Sequence, residues 1–367
     1  LIATNCPEWN MIDLAIQQVG AICIPIYPTI SHADYEYIFN HSEASIVFVI
    51  NKHLYNKVSD IITSTPSIKD TYLIRASEGL KSLQDLIELG NENRDEAALE
   101  AAKAEVKNED LATIIYTSGT TGNPKGVMLS FNNVMFNVDS VSKQVPIFQE
   151  DSNVMVLLPL HHILPLLGSL VAPLYMGGTL HIAEAMNAES IIKTLNAGKV
   201  SIIIGVPRLY DMLVKGIMSK INASFVTRLL YKITKLIGSD AVSRTIFSSV
   251  HKKFGGHLKY LVSGGAALSV ETATILKTLG LYVLEGYGMT ETAPMISFTR
   301  PGRRKVGYAG ELLPNIEVMI AENGEICVKG ANVMQGYYNR EEETAQIIKD
   351  GWLHTGDMGV LDKYGLK

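Results

Sequence analysis

Along the first 120 positions the apolar residues switch between helical and strand-like spacing. Trp9, Ile12, Ile16 and Val19 recur three or four apart, which predicts a helix over 8–18 with one buried face. The apolar runs at 21–26, 45–50 and 111–117 read as buried strands. Ser31 followed by Asp34 reads as a capping box that starts a helix between the first two. Further strands are expected at 153–157, 179–182, 200–204, 260–263 and 282–284, with helices between them. That rhythm predicts a mainly parallel α/β sheet. From about Phe298 the pattern changes to short runs punctuated by Gly307, Gly310, Gly324, Gly330 and Gly336, the texture of a small β-rich unit.

The composition is that of an ordinary globular chain of 367 residues, 47% hydrophobic, with a net charge of −5 that argues against a general nucleic-acid binder. Cys6, Cys23 and Cys327 are too far apart for a disulfide framework or a zinc set, and a reducing cytoplasm suits them. The longest apolar stretch, 163–176, is broken by Pro165, Gly168 and Pro173 and falls short of the ~20 residues that cross a bilayer. Between Lys215 and Lys259 nine Lys/Arg stand against one acid, Asp240, a local balance of +8. Such a run is either a solvated helix face or an electropositive patch for an anionic cofactor or an anionic membrane surface.

Candidate chemistry concentrates in four segments. Tyr116 to Ser130 reads YTSGTTGNPKGVMLS. Gly119, Gly122 and Gly126 let backbone N–H groups approach an anion, the hydroxyls of Thr117, Ser118, Thr120 and Thr121 add donors, and Lys125 adds charge. It is not a Walker loop, because Gly126 follows the lysine and a strand follows that; a polar hairpin remains the alternative. Glu285 to Thr292 reads EGYGMTET, in which Glu291 stands where a dinucleotide fingerprint has its last glycine. A carboxylate beside a pyrophosphate repels it unless a divalent cation intervenes, which points to Mg²⁺ with ATP. Tyr287 offers a face to a purine and Thr290 a hydroxyl to a phosphate oxygen. Ser263-Gly-Gly-Ala-Ala267 is a small-residue strand end, and Trp352-Leu-His-Thr-Gly-Asp357 ends in a carboxylate able to accept two ribose hydroxyls.

These four segments in this order resemble the adenylate-forming (AMP-binding) superfamily, and within it long-chain fatty acid CoA ligases. Pro7-Glu-Trp9, Leu158-Pro-Leu-His-His162, Val206-Pro-Arg-Leu-Tyr-Asp211 and Asn332 to Asn339 extend the resemblance over the whole chain. It implies an α/β fold of two layered α/β sheets plus a small β-barrel, divided at 1–150, 151–298 and 299–367. It implies ATP-dependent conversion of a fatty acid to acyl-AMP, with pyrophosphate released, followed by transfer to CoA. Carried over, Thr117 to Lys125 would hold the β- and γ-phosphates, with Thr117 and Glu291 near Mg²⁺. Gly265, Ala266, Glu285, Gly286, Tyr287 and Gly288 would form the adenine pocket, Thr290 would meet the α-phosphate, and Asp357 the ribose.

The same resemblance places His162, rather than His161, at the carboxylate and thioester site, and makes Lys125, His162, Thr290 and Glu291 the catalytic set. An apolar tunnel lined by 163–170, Gly264 and Gly286 is expected for the acyl chain. The resemblance also leads one to expect further chain before Leu1 and, after Lys367, a C-terminal domain bearing a catalytic lysine, so that these residues alone would bind ATP but form adenylate slowly. Two other readings share much of the pattern: an acyl or aryl acid enzyme that loads a carrier protein, and a non-catalytic nucleotide-binding module.

Overall fold

A computed structural model of the chain describes residues 1–118 and 122–367. The chain divides into two compact units. The first takes residues 1–134, 159–163 and 334–348, and the second takes 135–158, 164–333 and 349–367. This division does not follow a linear split at 150 and 298, since 334–348 belongs with the N-terminal residues.

In the first unit the helix Pro7–Gln18 starts with proline at its first position and buries Trp9 and Ile12. The Ser31 hydroxyl accepts from Asp34 N at 3.1 Å and so caps the helix His32–Ser42, while Asp34 Oδ2 accepts from that hydroxyl at 2.6 Å, so one half of the expected capping box is present. Ile46–Val49 and Asp70–Leu73 pair in parallel, and Phe39, Val49, Val58 and Ile61 form the core beneath them. The expected strand at 21–26 is reduced to single bridges from Cys23 to Thr113 and from Ile26 to Ile2. Pro25, which has no N–H to donate, interrupts the ladder between them. A three-stranded sheet completes the unit, with Lys125–Ser130 between Leu111–Thr117 and Gly336–Tyr337.

The second unit is built on a seven-stranded sheet. Its parallel part runs, in spatial order, Thr179–Ile182, Asn153–Val156, Ile202–Gly205, Tyr260–Ser263 and Val283–Gly288. Met295–Phe298 and Glu311–Leu312 then join antiparallel. Ile202 to Gly205 are all buried, as expected where helices cover both faces of a parallel sheet. On one face Met155, Ile203, Leu261 and Val283 pack with Leu195, Tyr210 and Leu276 of the covering helices.

The expected β-barrel is an open four-stranded sheet, whose long members Ile316–Ile320, Glu325–Gly330 and Trp352–Met358 pair antiparallel. Its two edge strands do not pair with each other, so the sheet stays open. Among the described residues no helix is long and apolar enough to cross a membrane. The stretch 163–176 is instead a broken helix whose π-helical part, Leu166–Val171, lies in the core.

Candidate functional site

In the second unit the strands Tyr260–Ser263 and Val283–Gly288 run side by side, and open parallel sheets bind ligands beyond the carboxyl ends of their strands. A cavity of about 390 Å³ opens there. Gly265 and Ala266 line it from the exit of the first strand, Glu285 to Gly288 from the second, and Asp357 from the strand Trp352–Met358. The chain leaves the first strand through Gly265 at φ +78°, which a side-chain-bearing residue adopts only with strain. At Gly288 a Cβ would lie 1.8 Å from the Pro294 carbonyl oxygen, so only glycine fits.

Tyr287 Oη donates to Asp357 Oδ2 at 2.9 Å. Burial, together with the neighbouring Asp357 charge, pushes the phenol's pKa up, so Tyr287 remains a donor. Burial also raises the Glu285 carboxyl to about 7. Ser263 lines the same cavity, and its buried hydroxyl has no hydrogen-bond partner among the described residues. A buried polar group in that state marks a place for water or a ligand atom.

Asp357 is braced from behind. Its backbone N–H donates to Thr355 Oγ1 at 3.1 Å, and that hydroxyl donates to the Ile326 carbonyl at 2.8 Å. Glu325 Oε1 accepts from Gly356 N at 2.9 Å, while Oε2 lies 3.0 Å from His354 Nδ1. The hydrogen bond from His354 lowers the Glu325 carboxyl below its ordinary value. Cys327 Sγ stands 3.5 Å from the same ring nitrogen. Sequence reasoning misses Glu325 and His354, since only the register of the antiparallel pair, Cys327 opposite His354, joins them.

Thr290 and Glu291 follow the second strand in a single 3-10 turn, with Glu291 buried. The fully buried Asn137 holds the end of that turn, donating to the Thr292 carbonyl at 3.0 Å and accepting from Met295 N at 3.1 Å. Asn137 is a third residue the sequence does not reveal, because its partners lie 155 and 158 positions away.

The other expected residues lie in the first unit. Leu111–Thr117 and Lys125–Ser130 form an antiparallel hairpin with Thr117 opposite Lys125. Ser118 and Gly122 are exposed in the connection, while Gly119, Thr120 and Thr121 lie outside the described residues. Lys125 Nζ stands 5.0 Å over the Tyr337 ring. Tyr116 packs its ring on Gly126, where a Cβ would come within 3.2 Å of it, and shares a 2.8 Å hydrogen bond with His41 Nδ1. His161 stacks on Tyr27 at 4.5 Å and against His162 at 3.9 Å. Burial, helped by His162, lowers His161 to about 3, and burial also lowers His162, although that residue keeps an exposed surface. Both imidazoles are therefore neutral near pH 7.

Side chains stand close against the two glycines expected beside the acyl tunnel. A Cβ on Gly264 would lie 3.3 Å from a Leu164 methyl, and one on Gly286 would lie 2.8 Å from the Phe298 ring. Leu166, Leu167 and Leu170 are core residues.

Residues 1–338 match the family described as AMP-binding enzyme. The chain belongs to that family. Among curated relatives, this AMP-binding enzyme is 29% identical to the long-chain-fatty-acid CoA ligase FadD15 of Mycobacterium tuberculosis, over 98% of this chain and 62% of that protein. It is 30% identical to long chain acyl-CoA synthetase 6, peroxisomal, of Arabidopsis thaliana, over 97% of this chain and 55% of that protein. The chain thus spans a little over half the length of the curated relatives it matches. Its fold is similar to ATP-bound MatB from Rhodopseudomonas palustris, with a TM-score of 0.74 and 25% identity over 100% of this chain and 66% of that one. It is also similar to the N-terminal domain of FACL13 from Mycobacterium tuberculosis, with a TM-score of 0.75 and 20% identity over 100% and 85%.

Proposed function

We propose that this chain is the nucleotide-binding and acyl-binding part of a fatty acid CoA ligase of the long-chain class. The observation that supports it best is the cavity at the ends of the two parallel strands, with Tyr287 hydrogen-bonded to Asp357 at its wall. The adenosine of ATP enters here, with the purine against Tyr287 and the backbone of Gly265 to Ala266. The Asp357 carboxylate accepts the ribose hydroxyls, and Tyr287 fixes one of its two oxygens. The hairpin from Thr117 to Lys125 takes the β- and γ-phosphates, and Thr290 takes the α-phosphate.

In the first step a carboxylate oxygen of the acid attacks the α-phosphorus, the bond from that phosphorus to the bridging oxygen breaks, and pyrophosphate leaves with the electron pair. Lys125 neutralises charge on the departing group, which is how proteins contribute most to such transfers. Thr117 and Glu291 are hard oxygen donors that suit Mg²⁺, which supplies charge neutralisation at the phosphates when bound. In the second step the CoA sulfur attacks the acyl carbon, AMP departs and the thiol proton passes to solvent. His162, neutral near pH 7, serves as a polar wall for the carboxylate and the thioester.

Fatty acid as the substrate is supported by the names of the curated relatives. MatB and an anthranilate CoA ligase share the fold, so the fold alone does not select the acid. The test is ATP–pyrophosphate exchange by the intact enzyme with a panel of long-chain, short-chain and aromatic acids, followed by thioester analysis with CoA. Exchange driven by long-chain acids and a long-chain acyl-CoA product are expected. Exchange with aromatic acids alone would refute the acyl assignment, and unchanged AMP affinity in Asp357→Ala would refute the nucleotide pocket.

A further inference from the structure

The helix Phe225–Ile237 presents its sides in three sectors, taking about 100° per residue. Thr227, Tyr231 and Thr234 turn towards the rest of the second unit; Thr234 is fully buried and Tyr231 packs on Phe247. Phe225, Val226, Leu229, Ile233, Leu236 and Ile237 turn outward, with Phe225 70% and Leu236 90% exposed. With Leu230 they cover an arc of about 140°, wider than the apolar stripe of an ordinary surface helix, and they face away from the core that such a stripe normally meets. The third sector carries Arg228, Lys232 and Lys235, none of which is in an ion pair among the described residues.

The surroundings are positive as well. Lys220 stands close enough to Lys253 to lower the latter's pKa. Asp240, the single acid between 215 and 259, is taken by Arg304 at 3.0 Å.

We propose that this helix lies in the plane of an anionic phospholipid bilayer and seats the protein there. The apolar arc enters the boundary of the acyl chains, and Arg228, Lys232 and Lys235 stay at the headgroups beside it. A second copy of the chain would set these cations against one another, whereas anionic headgroups complement them. The helix, 13 residues long, is too short to span a bilayer. The inference does not depend on the nucleotide chemistry.

Co-sedimentation of the full chain with phosphatidylcholine vesicles, with and without phosphatidylglycerol, tests it. Binding is expected to the anionic vesicles, to weaken steeply with salt, and to fall roughly tenfold or more in the double variant Leu229→Glu, Leu236→Glu. Both positions are exposed, so the variant is expected to keep the parent's melting temperature and AMP affinity. A Leu236→Trp variant is expected to shift its fluorescence to the blue on anionic vesicles. No binding at low salt, equal binding by the double variant, or no spectral shift would overturn the proposal. So would a concentration-dependent dimer, seen by light scattering, that the double variant abolishes.

Discussion

Tyr287 and Asp357, 70 positions apart and on different sheets, are joined by a 2.9 Å hydrogen bond in which the phenol donates. The bond points one carboxylate oxygen and leaves the other free to accept. Tyr287→Phe is expected to lower AMP affinity by roughly 2- to 12-fold, the range of one hydrogen bond. Asp357→Asn is expected to lower it further, and the double variant to lose less than the sum, because the residues act as a pair. Calorimetric titration of AMP into the three variants checks this.

Burial raises Glu285 from an ordinary value of 4.5 to about 7. Between those values the folded state holds a proton that the unfolded state has lost, so stability declines as pH rises through the window. Glu285→Gln is expected to remove that decline and to stabilise the protein at pH 8 by on the order of 1–3 kcal/mol. Urea unfolding of both proteins at pH 5 and pH 8 reads the difference directly; parallel losses in parent and variant would contradict it.

Asn137 makes two hydrogen bonds to buried backbone on either side of Pro294. Asn137→Ala leaves both backbone groups unmatched, at a cost of about 1–3 kcal/mol each. A drop in the urea midpoint with an unchanged slope is expected, accompanied by weaker AMP binding because the Thr290 to Thr292 turn loses its anchor.

At Gly286 the Phe298 ring occupies the place of a side chain. Gly286→Ala is expected to cost about 1–3 kcal/mol through overpacking. Phe298→Leu in the same chain should restore much of it. Failure of that rescue in thermal melts would mean that the glycine serves something other than the ring.

Lys125→Ala separates the phosphate contacts from the adenosine contacts. ATP affinity is expected to fall by roughly tenfold, about 1.4 kcal/mol, with AMP affinity unchanged. Equal loss for the two nucleotides, measured by competition titration, would place Lys125 outside the phosphate subsite.

Much of the cavity was legible because its wall is written in short local runs. SGGAA, EGYG and the HTGD turn each sit at the end of a strand whose apolar pattern is continuous. What supports those runs was not legible. Glu325 meets His354 through strand register, and Asn137 reaches Thr292 across 155 positions, so neither leaves a local signature. The strand at 21–26 is cut short by Pro25 despite Ile22, Ile24 and Ile26. Of the helix at 225–237 the sequence singles out only the basic residues. Its periodicity gives the width of an apolar face but not the direction, and the direction is outward.

The sheet of the first unit carries a consequence for biosynthesis. Its middle strand, Lys125–Ser130, acquires its second neighbour only when Gly336–Tyr337 arrives, with Gln335 N donating to the Met128 carbonyl and Tyr338 N to that of Gly126. About 200 residues separate the two strands, so at 5–20 residues per second a ribosome leaves that edge unpaired for roughly 10–40 seconds. During that interval Val127 and Leu129 sit on a strand with one row of N–H and C=O groups unpaired, the usual template for pairing with the wrong chain. The hairpin formed by Leu111–Thr117 and Lys125–Ser130 is thus made early in synthesis and closed late.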